Sequence, residues 1–499
     1  MIDIDGPLIW GPYSLRPESA TSHFLASGTT GSGKTTLIDM LLRSVFRGAR
    51  SRASRALIYD SKQEAVPKLR ALGLGDRVRI LHPFDERGRP WDLATDIADP
   101  LSARQFAHTL IPESRSQTSD TGFFLDAARD IISVTVQVLG LCTPSGRWTL
   151  RDLILSLLYP DNLKPLLAFE KTREGIPFPS ANRIWRAYFD PQTTDERTRS
   201  NIRSTLSANL GVFEPVAAAW ASSTLPPFSL KTWHEGNGDE IVVVGNDESA
   251  RAAIDPINQA LFQRAAELTL ARPEGQVSKT WFFLDEVREA GRLRALNSLL
   301  LRGRSKGACV VLSFQDIEGL RDVYGDHLAN EIVANCNNVA LLRTSSSATA
   351  EWAAEMFGRF LVIDRDRTSG LSGTEVSSSR TERLNERPSL LSGDMLYLPL
   401  PSPKVGLVGF FRDAAARFDE PHRHALEWGA VSSGRIDGGG EDGFQSISTS
   451  RLLLRPWDQA DLDRLGIEVT PEAPTEEREN FSAESAAAKK KRIPRRAQE

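Results

Sequence analysis

The sequence predicts an α/β protein with a mainly parallel central sheet, interrupted by an all-helical inserted domain. Three observations predict it. A glycine-rich loop joins an apolar strand to an apolar helix at His23–Leu42, "HFLASGTTGSGKTTLIDMLL". Strands alternate with helices on both sides of the chain's middle, as in parallel sheets covered by helices. Between them, roughly residues 97–224 read as helices separated by proline-rich turns.

The loop comes first. Gly28, Gly33, Lys34 and Thr35 satisfy G-x-x-x-x-G-K-[ST], with Thr29, Thr30, Gly31 and Ser32 inside the loop and Thr36 following it. Glycines permit close backbone approach. Successive N–H groups at the positive end of a helix can then ring a phosphate. Lys34 would reach the β- and γ-phosphates of ATP, and the Thr35 hydroxyl would hold Mg²⁺. A chance glycine-rich turn would lack the strand "HFLAS" before it and the amphipathic helix "TTLIDMLLRSVF" after it.

Further strands follow as "RALIYD" (55–60) and "RVRIL" (77–81), with a helix near 63–72 between them. After the helical stretch the strand signal returns in "EIVVVGN" (240–246), "TWFFLDE" (280–286), "GACVVLSFQ" (307–315) and "NVALLRT" (338–344). Each is a nearly unbroken apolar run, as expected of strands buried on both faces. The expected organisation is a nucleotide-binding domain in two parts, 1–96 and 225–418, around an inserted all-α domain, 97–224. Residues 419–499 read as a glycine- and serine-rich linker and a disordered tail. The tail ends in a basic run, Lys489–Arg496, read as a solvated terminus or a contact for nucleic acid or a membrane surface.

Composition sets the bounds. At 40% hydrophobic and 25% charged, the 499 residues describe an ordinary globular protein. The net charge of −4 gives no global basic footprint, so any DNA contact must come from a local surface. The three cysteines, Cys142, Cys309 and Cys336, lie in apolar surroundings without metal-ligand spacing and read as buried thiols of a reducing cytoplasm. No apolar stretch approaches the ~18 residues needed to span a bilayer.

The second half of a nucleotide site is "TWFFLDEV", an apolar strand ending in Asp285 and Glu286. Asp285 would hold the metal through water and Glu286 would polarise the attacking water, as a hydrolysing motor requires. The next strand ends on Gln315, placed to sense the γ-phosphate. Between these strands, Arg302 and Arg304 stand at a helix exit, either as solvated cations favoured by the helix dipole or as a finger reaching an adjoining subunit.

These segments resemble the cytoplasmic domain of type IV secretion coupling proteins. "HFLASGTTGSGKTT", "ALIYDSKQE" and "ILHPFDERGRPWDL" follow one another as in that family, "FFLDAARDII" and "FSLKTWHEG" match its helical insertion, and the densest match is "WFFLDEVREAGRLRALNSLLLRGRSKGACVVLSFQDIEGLRDVYG" (281–325). The resemblance implies a RecA-like P-loop NTPase of the FtsK/HerA kind, working as a homo-hexamer that uses ATP to deliver or pump DNA, single-stranded and without sequence preference, in conjugation. It implies relaxase or secretion-channel partners, and the inter-subunit arginine falls on Arg304. Asp60 matches an acidic residue after the second strand, which a strand-end cap explains equally well. Such proteins usually begin with transmembrane helices, whereas this sequence reaches its P-loop strand about twenty residues from Met1. The expectation is a cytoplasmic protein with a separate membrane-anchor subunit recruiting it to the inner membrane, or a soluble HerA-like DNA-processing or defence motor. A third reading is a non-hydrolysing adaptor, for which Glu286 would have no use.

Overall fold

The computed structural model describes residues 6–47, 54–112, 119–236, 240–275, 278–372, 375–414, 422–438 and 443–467. A small hairpin of β1 (Leu8–Trp10) and β2 (Tyr13–Leu15) precedes the first sheet strand, β3 (Phe24–Ser27). Then come β4 (Ser54–Asp60) and β5 (Val78–Ile80). After the helical segment follow β6 (Ile241–Gly245), β7 (Lys279–Asp285), β8 (Ala308–Phe314) and β9 (Asn338–Leu341). A long hairpin, β10 (Arg359–Ser372) and β11 (Glu375–Pro388), is followed by β12 (Leu407–Arg412) and β13 (His422–Leu426).

Nine strands form one sheet in the order β13-β12-β9-β3-β8-β7-β4-β6-β5. Neighbours from β9 to β5 pair in parallel, while β12 runs antiparallel to β9 and β13 antiparallel to β12. The expected α/β class holds, and each apolar run read as a strand forms one. Alternation within each strand sends side chains to two separate cores. Leu25, Leu57, Val242, Phe282 and Leu312 face the core shared with the helical segment and the Arg251–Leu270 helix. Phe24, Ile58, Val243, Trp281 and Val311 face the Lys34–Val45 helix and its neighbours.

The two ends of the helical segment meet at a buried carboxylate. The fully buried carboxylate of Asp96 accepts from Trp91 Nε1 at 2.5 Å, Ser229 Oγ at 2.7 Å, and the Leu230 and Lys231 amides at 2.8 Å each. Entry and exit of the segment therefore lie side by side, and Phe228 exchanges backbone hydrogen bonds with Pro90 and Asp92. Within it, long helices such as Ser119–Gln137 and Glu196–Leu210 carry the packing. Arg183 pairs with Asp130 at 2.9 Å and Arg199 with Glu196, so both guanidiniums are ion-paired within the segment.

Two regions depart from the sequence expectation. The segment after 419 is not simply linker and tail. β13 completes the sheet edge, the Trp428–Gly434 helix packs on the Lys34–Val45 helix, and the Gln459–Leu465 helix is tied to the helical segment by Arg464 on the buried Asp152 at 2.9 Å. Glycine and serine content hid a chain that is pinned by a few buried apolar residues, Leu426, Val431, Ile436 and Leu465. The basic run Lys489–Arg496 lies outside the described residues. The β10–β11 hairpin also went unread, because its strands lack an apolar–polar alternation.

Candidate nucleotide site

β3 ends at Ser27, and the loop then passes into a helix whose first residue is Lys34. The loop is pinned from the neighbouring strands: Gly28 N–H donates to Phe314 O at 3.3 Å and Thr29 N–H to Arg343 O at 2.8 Å. Gly33 adopts φ 104°, and a Cβ there would collide with Leu407 and lie 3.3 Å from Pro401 Cγ. Only glycine meets both demands. Thr30 and Gly31 form the outer bend, Ser32 is buried behind it, and Thr35 and Thr36 occupy the first helical turn, half-buried.

Lys34 is buried, 7% exposed, and its Nζ donates to the loop's own carbonyls, Gly28 O and Thr29 O. Burial lowers its pKa, and the negative charges of Glu286 and Asp285 work against that lowering. A desolvated ammonium inside a ring of backbone is what a polyphosphate would meet.

The acidic pair arrives from β7, and one strand, β8, separates it from β3. Ser313 on β8 bridges the gap: its hydroxyl donates to Asp285 Oδ1 at 3.0 Å and accepts from the Glu286 amide at 3.4 Å. Lys62 Nζ lies 3.8 Å from Asp285 Oδ2. Glu286 has φ 66°, a left-handed conformation rare outside glycine and costing on the order of 1 kcal/mol. Burial raises its pKa, the charges of Lys34 and Lys62 lower it, and Asp285 raises it further. A carboxylate in a partly dry site beside an ammonium is suited to accept a proton from water.

Lys34, Asp285 and Glu286 thus converge at the carboxyl ends of the strands, where open α/β sheets bind ligands. Gln315 directly follows β8, which stops at Phe314, and is exposed; its backbone N–H lowers the Glu286 pKa. Arg302 and Arg304 are exposed, and Arg304 opens the short turn that precedes β8. It therefore lies at the opposite end of the seven-residue strand from its own P-loop, on the order of 20 Å away. His23 holds that turn: it bonds Leu300 O at 3.0 Å and accepts from Val310 N–H at 3.2 Å, and burial depresses its pKa to about 4, keeping it neutral.

Asp60 is a cap. It accepts from the backbone of Lys62, Glu64 and Ala65 at 3.3, 3.1 and 2.7 Å and starts the Ala65–Ala71 helix. Sequence reasoning missed Lys62, Ser313 and His23, each of which lies inside a quoted motif ("ALIYDSKQE", "ACVVLSFQ", "HFLAS"). For Ser313 the usable signal was a hydroxyl interrupting an apolar run beside a site residue.

A P-loop strand and an acidic strand separated by a third, with a glutamate directly after the strand-end aspartate, define the RecA-like P-loop class. Residues 7–413 match the type IV secretion-system coupling protein DNA-binding domain, and the chain belongs to that family. Coupling protein TraD of Escherichia coli is 24% identical over 359 residues, covering 71% of this chain and 46% of TraD. Conjugal transfer protein TraG of Agrobacterium fabrum is 26% identical over 30% of this chain and 22% of its own. The chain thus spans less than half the length of these relatives. Among solved structures, the conjugative coupling protein TrwB in its trigonal form with sulphate superposes with a TM-score of 0.64 at 20% identity, over 90% of this chain and 92% of that one. TrwB in complex with ADP and Mg²⁺ gives 0.61 at 21% identity, over 84% and 88%. Among the described residues no helix is long and apolar enough to cross a membrane.

Proposed function

We propose that this chain is an ATP-driven motor that moves DNA during conjugative transfer. The observation that carries the reading is the meeting of Lys34, Asp285 and Glu286 at the carboxyl edge of the sheet, with Glu286 both desolvated and held at a positive φ. The residues fit ATP and Mg²⁺: a cradle in which a Cβ at Gly33 has no room, and a buried ammonium whose hydrogen-bond partners are loop carbonyls.

Residues Gly28–Thr36 would bind the phosphates, with Lys34 neutralising the β- and γ-oxygens. Thr35 and Asp285 would hold Mg²⁺, which supplies charge neutralisation on the transferring phosphoryl group. Glu286 would take the proton from the attacking water. Gln315 would contribute through its side chain at the γ-phosphate as well as its amide on Glu286. Arg304, remote from its own P-loop, would act on the nucleotide of a neighbour in a homo-hexamer.

DNA, relaxase or secretion-channel proteins, and a separate membrane-anchor subunit are the proposed partners of a cytoplasmic ring. The family's DNA-binding domain and the relatives' names support that assignment. ATP turnover by wild type and by Glu286→Gln tests the site: the variant should bind ATP and not hydrolyse it, and wild-type turnover in the variant refutes the base.

A further inference from the structure

The site does not account for the β10–β11 hairpin. Its two 14-residue strands pair along their length, and the ribbon is on the order of 45 Å long. A two-stranded ribbon is marginally stable alone. Near its root, Ile363 and Leu384 face each other across the strands with Leu361 beside them on the same face. They are 50%, 63% and 66% exposed. The ion pair Arg365–Glu382 at 3.0 Å borders this trio on the far side and Arg359–Glu386 at 3.6 Å on the near side. Residues 359–388 carry six arginines against five acids, a nearly balanced charge.

The root is fixed within the fold. The Ser347–Phe357 helix ends with the Phe357 ring 5.9 Å from the Arg412 guanidinium, and Arg412 pairs with Val339 where β9 begins. The hairpin thus leaves the end of the sheet that also carries Arg304. At the other end, the segment before β12 runs along the P-loop: Thr344 N–H donates to Met395 O at 3.4 Å, and Pro401 lies against Gly33. This rim exposes Tyr397, at 87%, with Leu400 and Val405.

We propose that the hairpin face Leu361, Ile363 and Leu384 of one chain docks on the rim Tyr397, Leu400 and Val405 of a second copy, clasping neighbours head to tail. Two exposed apolar surfaces stand at opposite ends of one chain, beside an arginine stranded from its own nucleotide loop and a loop that lacks it. A single heterologous contact covers both surfaces and brings Arg304's end of one chain to the P-loop end of the next. The clasp rests on the proposed trans role of Arg304 for its direction.

Two variants test it, both on exposed side chains. Ile363→Lys with Leu384→Glu keeps a cross-strand pair while removing the apolar face; Tyr397→Glu with Leu400→Glu blocks the rim. Sedimentation is read with single-stranded DNA and a non-hydrolysable ATP analogue, over a range of protein concentrations. Each variant alone should be monomeric, and a one-to-one mixture should give dimers that do not grow, because one good hairpin meets one good rim. Assembly of either variant like wild type, a mixture that stays monomeric, or a monomeric wild type overturns the clasp. A hairpin variant that assembles normally but loses DNA would assign the ribbon to nucleic acid instead. Binding of a fluorescent ATP analogue, read in the same samples, judges the nucleotide site separately.

Discussion

Ser313 Oγ donates to Asp285 Oδ1 at 3.0 Å, across the one strand boundary that separates the acidic pair from β8. The same oxygen accepts the Glu286 amide at 3.4 Å, so one buried hydroxyl orients both acids. Ser313→Ala should leave ATP binding nearly intact but raise the Mg²⁺ concentration for half-maximal turnover by about 10-fold, the low end for losing a group that orients a metal ligand. A Mg²⁺ titration of ATPase activity reads this; an unchanged midpoint removes Ser313 from the site.

Lys34→Ala should abolish ATP binding and spare the fold. The lysine is desolvated in the nucleotide-free protein, so its removal deletes a cost as well as two hydrogen bonds. The melting temperature without nucleotide should move by no more than a few degrees. The rise that ATP produces in wild type, about 2.7 kcal/mol at 100-fold over Kd, should vanish. Thermal melts with and without ATP check both parts.

The pH profile follows from Glu286. Burial raises its folded pKa, so its proton is lost at higher pH than from an ordinary glutamate. As a base it works only when ionised, and turnover should therefore fall on the acid side at a pH above the usual ~4.3 of a glutamate. The linkage has the same sign: a raised carboxyl pKa favours the protonated folded state, and its contribution to stability is lost as pH rises through that pKa. Glu286→Gln, neutral throughout, should be slightly more stable than wild type at neutral pH. Equal or lower stability by denaturant titration contradicts this.

Asp96→Ala should cost about 2–4 kcal/mol, because a buried acceptor of four donors is removed and the donors stay buried. Chemical denaturation measures the loss, and a cost under about 0.5 kcal/mol would mean that the segment's ends are held elsewhere.

Much of this site was legible in the sequence because its parts are local. A P-loop is one strand, one turn and one helix, and Asp285–Glu286 ends a single apolar run. What sequence hid is what depends on tertiary neighbours. Asp60 matched a family position but turned out to cap a helix, since three backbone amides converge on it. Gln315 stands exposed one residue beyond the strand, and its backbone contact with Glu286 depends on a neighbouring strand that the sequence does not name. Ser313 interrupts an apolar run, but strand alternation reveals its facing only once the neighbouring strand is known. The folded stretch beyond 419 escaped because a few apolar anchors outweigh many glycines and serines.

Arg304→Ala should lower turnover by on the order of 10³ with little change in ATP affinity. Mixing it with Lys34→Ala chains should restore part of the activity, since some interfaces then pair an intact P-loop with an intact arginine. Full activity of Arg304→Ala, or a dead mixture of chains that still assemble, refutes the trans role.

The central claim is that ATP hydrolysis is coupled to DNA. Steady-state ATP turnover of the wild-type chain, measured with and without single-stranded DNA over a range of salt, tests it most directly. The account predicts stimulation by DNA of any sequence, fading steeply as salt rises, because phosphate contacts release counterions. Turnover indifferent to DNA at every salt concentration would contradict it.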